Sequence, residues 1–237
     1  LYAGSLVSEA ALRWAQPGCE IADSKDMDLA AIAAWLIEKA HAHPCVVRLQ
    51  TGDPSLFGAL IEMVQPLDAA GIEVGVVPGI SSALASAAAA VESLTLPEVT
   101  QTVILTRVAG RTPMPAGESL AELARHHCTL CLFLSITLLK QVQAELLAAG
   151  WREDAPVLVV HKASWPGEEI LARGTLADIR DQCRAAGIKS QAMIIVGPTL
   201  GARHWPSLQK SKLYDAGFSH RFRRGVANPS DQSESGA

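Results

Sequence analysis

Short apolar or β-branched runs recur along the chain, at residues 19–22, 46–49, 74–77, 102–107, 130–134, 157–160 and 193–196. Between most of them lie longer stretches whose apolar side chains fall three and four residues apart, at 28–41, 56–68, 82–90, 119–126, 137–148 and 176–185. The short runs predict strands and the 3.6-residue period predicts helices. Their alternation predicts an α/β protein with a largely parallel sheet and covering helices. Gly71, Gly150 and Gly187 follow alanine-rich ends and mark helix stops.

A seam falls near residues 94–98, where one set of strand–helix units ends and a fresh β-rich segment starts at Thr102. The pattern predicts two α/β domains, 1–98 and 99–201, with a ligand cleft between them and a tail from 202 to 237. The last ten residues, 228–237, lack apolar periodicity, and disorder is expected there. Leu1-Tyr2-Ala3 reads as the end of a strand with Gly4-Ser5 as its turn, so a further strand, turn and helix are expected upstream.

Several strands are followed by turns of small residues. After 46–49 comes Thr51-Gly52-Asp53-Pro54-Ser55-Leu56-Phe57-Gly58; after 74–77 comes Pro78-Gly79-Ile80-Ser81-Ser82, leading into an alanine-rich helix. Glycine permits tight reversal and close approach of backbone, and serine can satisfy the free amides of a helix start. Two more such turns lie at 160–167 and 195–199. In open α/β sheets ligands bind at turns leaving the carboxyl ends of strands, and lean turns from two domains suit a flat or extended ligand between them.

Charge and composition narrow the classes. The formal charge is -4, with 49% hydrophobic residues, as in an ordinary globular protein. Six basic and three acidic side chains give residues 202–237 a balance of +3, leaving -7 on the rest. The basic tail is short and lacks regularly spaced aromatics, so an anionic small ligand or a solvated tail is expected rather than nucleic acid. No membrane-spanning stretch or leader is evident, and no membrane partner is expected. The five cysteines form no disulfide spacing, which suits a reducing, cytoplasmic compartment. Cys128 and Cys131 sit three apart in a strand-like run and point to opposite faces, so no metal site is expected there. Gly-x-Gly-x-x-Gly, Walker and Gly-x-Ser-x-Gly motifs are absent, which argues against nicotinamide, nucleoside triphosphate and serine-hydrolase chemistry.

TGDPSLFGA at 51–59, VPGISS at 77–82, Ala163-Ser164-Trp165-Pro166 and Ile194-Ile195-Val196-Gly197-Pro198 resemble the tetrapyrrole methylase family of S-adenosylmethionine-dependent enzymes. YAGSLV at 2–7, LPEVTQTVILTR at 96–107 with Gly110-Arg111-Thr112-Pro113, and the tail at 213–224 resemble its precorrin-4 carbon-11 methyltransferase subgroup, from cobalamin biosynthesis. The resemblance implies a cofactor cleft between two α/β domains, S-adenosylmethionine as methyl donor, and a homodimer. Carried over by position, the cofactor contacts are Thr51, Gly52, Asp53, Leu56, Ser81 and Ser82, then Leu134, Ala163 and Ala192 from the second domain. The family's N-terminal Gly-rich loop has no counterpart in these residues.

The implied reaction is methyl transfer to an electron-rich ring carbon, precorrin-4 to precorrin-5, which rests on positioning and exclusion of water. No catalytic residue is assigned. A tetrapyrrole carries many carboxylates, so Arg107, Arg111, Lys162 and Arg221 are the candidate substrate contacts. Cobalt-precorrin-4, uroporphyrinogen and other ring carbons are the alternative substrates.

Overall fold

A computed structural model of the chain describes residues 1–208 and 211–226; the expected disorder at 228–237 lies outside the described residues. The expected α/β class is what forms. Five strands, β1 (Val103–Arg107), β2 (Thr129–Phe133), β3 (Pro156–His161), β4 (Ile170–Thr175) and β5 (Ala192–Val196), make one sheet in the order β1-β2-β5-β3-β4.

The direction of pairing departs from the expected parallel sheet. Only β1 and β2 run parallel; β5 is antiparallel to both β2 and β3, and β3 to β4. The reason is β4, which its polar Arg173 and small Gly174 hide from the apolar pattern. It follows β3 through a loop of eight residues, 162–169, too short for the helical crossover that parallel neighbours require.

Side chains alternate across the central strands and build two cores. Leu130, Leu132, Val157, Val159, Ile194 and Val196 face α4 (Leu120–Leu123), α5 (Leu139–Ala148) and α6 (Ile179–Ala185). Cys131, Phe133, Leu158, Val160, Met193 and Ile195 face the other way, onto Ala83 and Ala90 of α3 (Ser82–Ala90). Cys128 and Cys131 accordingly lie in different cores. Local chemistry starts and stops these helices. The Ser119 and Glu122 side chains bond each other's backbone amides at the start of α4. Gly150 and Gly187 supply positive φ beyond the ends of α5 and α6.

The first hundred residues carry α1 (Leu29–Ala42), capped by Asp28 accepting from the Ala31 amide at 2.8 Å, and α2 (Leu60–Ala69). These pack on each other through Ile32, Leu36, Met63 and Leu67. The strands expected at 19–22, 46–49 and 74–77 do not form ladders. Leu1 donates to the Val47 carbonyl and accepts from Leu49, each at 2.8 Å; Tyr2 bonds Ala22 and Ser24 in a parallel bridge with Asp23. A strand exists only where a neighbour runs alongside, and here that neighbour is the residue pair Leu1-Tyr2. Val76 and Val77 remain 51% and 83% exposed. The helix expected from 56 begins only at Leu60, because residues 54–58 form turns and Ala59 takes a positive φ.

Candidate functional site

The two small-residue turns of the first hundred residues meet. One Asp53 oxygen accepts from both the amide and the hydroxyl of Ser55, and the other accepts from the Gly79 amide at 3.0 Å. Asp53, rather than Ser55, therefore organises this turn. These donors hold its carboxyl below the usual carboxylate range, the Ser55 hydroxyl contributing most. Gly79 must be glycine for the turns to touch, since a Cβ there would lie 2.0 Å from the Gly52 carbonyl oxygen. Gly52, at φ +65°, presents its own face to the Ser81–Ser82 backbone. The Gln50 side-chain amide donates to the Gly58 carbonyl at 2.8 Å and closes the loop behind.

This pair of turns lies against the sheet. The Phe57 and Phe133 rings sit 4.9 Å apart at 46°, an aromatic contact worth about 0.5–1.5 kcal/mol beyond its buried area. Leu56 and Ala163 pack against the same core as α3. A cavity of about 490 Å³ opens between the halves, lined by Asp53, Leu56, Gly79, Ser81, Leu84, Leu94, Thr95, Val103 and Leu105. Its wall is mostly aliphatic, with the Asp53 turn as its polar edge. A second cavity, about 480 Å³, lies away from these turns among Leu1, Trp14, Trp35, Lys39 and His43.

The remaining expected contacts gather at one end of the sheet. Leu134 follows β2 with φ +54° and is 71% exposed. Ala192 opens β5 opposite His161, and the Lys162 amide bonds the Gln191 carbonyl at 2.9 Å, which sets Ala163 beside them. The Gln191 side chain donates to the Ser5 carbonyl, joining this end to the first turn of the chain. That turn is held by Asp23, which accepts from the Gly4 amide at 2.8 Å. Thr51, Gly52, Asp53, Ser81 and Ser82 thus belong to the paired turns, Leu134, Ala163 and Ala192 lie at the end of the sheet, and Leu56 lines the cavity beside Asp53 and Ser81. Asp23, Phe57 and Gln191 belong to the same surroundings and were missed in the sequence, where only the aromatic inside TGDPSLFGA hinted at Phe57.

The candidate cations differ in their commitments. The Arg107 guanidinium donates to the Thr112 and Pro113 carbonyls at 3.1 and 2.7 Å and ties down its own loop. Arg111 is exposed on that loop. Lys162 pairs with Glu168 and lies 4.5 Å from the Trp165 ring centre. Arg221 stacks on Phe222 at 5.4 Å in the tail, a segment knit together by Arg223 donating to the carbonyls of Leu213, Asp215 and Phe218.

The sequence profile of the Tetrapyrrole (Corrin/Porphyrin) Methylases matches residues 1–180. This chain belongs to the tetrapyrrole methylase family. It is 46% identical to the cobalt-precorrin-4 C(11)-methyltransferase of Priestia megaterium, covering 95% of this chain and 87% of that one. It is 43% identical to the precorrin-4 C(11)-methyltransferase of Pseudomonas aeruginosa, covering 95% and 88%. Among solved structures, the cobalt precorrin-4 methyltransferase CbiF matches with a TM-score of 0.79 at 46% identity, over 83% of this chain and 82% of that one. Uroporphyrin-III C-methyl transferase from Thermus thermophilus, complexed with S-adenosyl homocysteine, matches with a TM-score of 0.58 at 30% identity, over 72% and 73%.

The residues present fit an adenosyl cofactor. Gly79 leaves backbone bare where a Cβ would crowd the opposite turn, Gly52 adopts a positive φ beside it, and the adjoining cavity offers an aliphatic wall and the Asp53 turn. No helix among the described residues is long and apolar enough to cross a membrane.

Proposed function

We propose that this methylase transfers the methyl group of S-adenosylmethionine to carbon 11 of precorrin-4. The observation that carries the reading is the identity of 43–46%, across 95% of the chain, to enzymes named precorrin-4 or cobalt-precorrin-4 C(11)-methyltransferase. The cobalt form of the substrate is the second reading, favoured by the slightly higher identity to the cobalt-precorrin-4 enzyme. The chain is read as domains 1–98 and 99–201 with the cofactor between them, acting as a cytoplasmic homodimer. Its free cysteines suit that compartment.

When bound, the cofactor supplies an electrophilic methyl on a sulfonium sulfur. Thr51, Gly52, Asp53, Ser81 and Ser82 hold its polar groups, largely through backbone. Leu56, with Leu134, Ala163 and Ala192, shapes the apolar side and keeps water from the reacting carbons. Since the pyrrole ring makes its own carbon nucleophilic, positioning is the chief requirement of the protein. Arg111 and Arg221 are the cations most open to the carboxylates of the macrocycle. At Lys162 a carboxylate has to compete with Glu168, and at Arg107 with the carbonyls of its loop.

Calorimetric titration of the chain with S-adenosylhomocysteine tests the reading. Saturable binding that is lost in Gly52→Val supports it. A folded protein that takes up none contradicts it.

A further inference from the structure

The α3 helix is tied at both ends. Its first turn carries Ser81 and Ser82, against which Gly52 is seated, and Gly79 in turn lies against Gly52. Its inner face offers only the methyl groups of Ala83 and Ala90 to Leu158 and Val160 of β3 and Met193 and Ile195 of β5. Just beyond its last turn stands Glu92, whose side chain is only 2% exposed. This carboxylate pairs with Arg173 of β4 and accepts from the Gly201 amide at 2.9 Å. The same guanidinium donates to the Ala90 carbonyl at 2.7 Å, placing a cation at the negative end of the helix. One arginine and one carboxylate therefore join three segments, α3, β4 and the turn after β5.

We propose that Glu92 and Arg173 are positioning residues for the cofactor turn. They act through α3, a helix roughly 13 Å long by its rise per residue, and this inference rests on the methyltransferase reading. A buried carboxylate needs its partner and its donors in place, so the clamp has one satisfied arrangement, and that arrangement fixes the tilt of α3 on the sheet. The helix itself contributes only alanine methyls to this contact and so inserts no large side chain into the strands to key its register. The clamp supplies the register instead, and at the far end it sets where Ser81 and Ser82 stand relative to Gly52.

The test compares S-adenosylhomocysteine affinity and steady-state kinetics in the full chain with Arg173→Met, Arg173→Lys and Leu146→Ala. Leu146→Ala destabilises the core on the opposite face of the sheet and serves as the control for stability alone. The account expects Arg173→Met to weaken cofactor binding about three- to tenfold, the range of coupling through packed networks, with kcat at saturating cofactor little changed. Arg173→Lys, which retains charge opposite Glu92 but loses the fork, recovers part of the loss. Wild-type affinity in Arg173→Met overturns the proposal, as does an equal loss in Leu146→Ala. If Arg173→Met does not fold, Arg173→Lys decides: weakened binding supports the clamp and unchanged binding overturns it. Absence of binding by the wild-type chain removes the methyltransferase reading and the clamp with it, whereas binding by wild type and equal binding by the variants removes the clamp alone.

Discussion

Replacing Gly79 with alanine puts the meeting of the two turns under direct strain. The added methyl would stand 2.0 Å from the Gly52 carbonyl oxygen and 3.0 Å from its carbon, both backbone atoms with no flexible end to swing aside. Non-bonded carbon and oxygen rest roughly 3.3 Å apart, so the turns must separate by about 1.3 Å. The Asp53–Gly79 bond, 3.0 Å long, then passes out of hydrogen-bonding range. A shift near 1 Å in a group that positions reactants costs on the order of a hundredfold in rate. The sheet cores are untouched, so melting is expected to stay within a few degrees of wild type. The assay is transfer of labelled methyl from S-adenosylmethionine, with kcat/KM compared to wild type and to Gly75→Ala, where a Cβ meets nothing within 4 Å. An unchanged kcat/KM in Gly79→Ala, or an equal fall in Gly75→Ala, refutes the argument that close approach of these turns builds the site.

Three further outcomes are expected. Because the folded pKa of Asp53 is lowered, its carboxylate stabilises the turn above its unfolded value near pH 4 and loses that contribution as pH falls through the folded value; Asp53→Asn should flatten the acid limb of a melting-temperature profile, and an unaltered limb would count against the assigned hydrogen bonds. A thiol reagent at pH 8 should label Cys19 and Cys45, the exposed pair, and leave Cys128, Cys131 and Cys183 until unfolding, since burial pushes the Cys131 thiol up to about 12 and Cys183 to about 11; mass spectrometry of the native and denatured protein reads the count. Leu146→Ala, at a fully buried site, should cost about 2–5 kcal/mol in urea unfolding, and a cost well under 1 kcal/mol would mean that this core is looser than described.

The sequence was most legible where local chemistry and period agree. Strands β1, β2, β3 and β5 and the helix α3 fall within a residue or two of the apolar runs and serine caps that announce them. The β4 strand escaped because Ile170-Leu171-Ala172-Arg173-Gly174-Thr175 interrupts its apolar side with a charge and a glycine, and missing it made the sheet read as parallel. Apolar runs at 46–49 and 74–77 were visible, but pairing depends on a neighbour that periodicity does not reveal. Small residues advertised both turns of the candidate site, since bare backbone is what a close approach needs. Phe57 against Phe133, and Arg173 against Glu92 across 81 residues of chain, were out of reach because nothing local distinguishes them from surface side chains.

The central claim concerns which carbon is methylated. Incubating the protein with precorrin-4 and cofactor labelled with carbon-13 in its methyl group, then locating the label by NMR, reads the answer directly. The account predicts one labelled methyl on carbon 11 and S-adenosylhomocysteine in equal amount. Label on another ring carbon, or none on the macrocycle from a protein that binds S-adenosylhomocysteine, would contradict it.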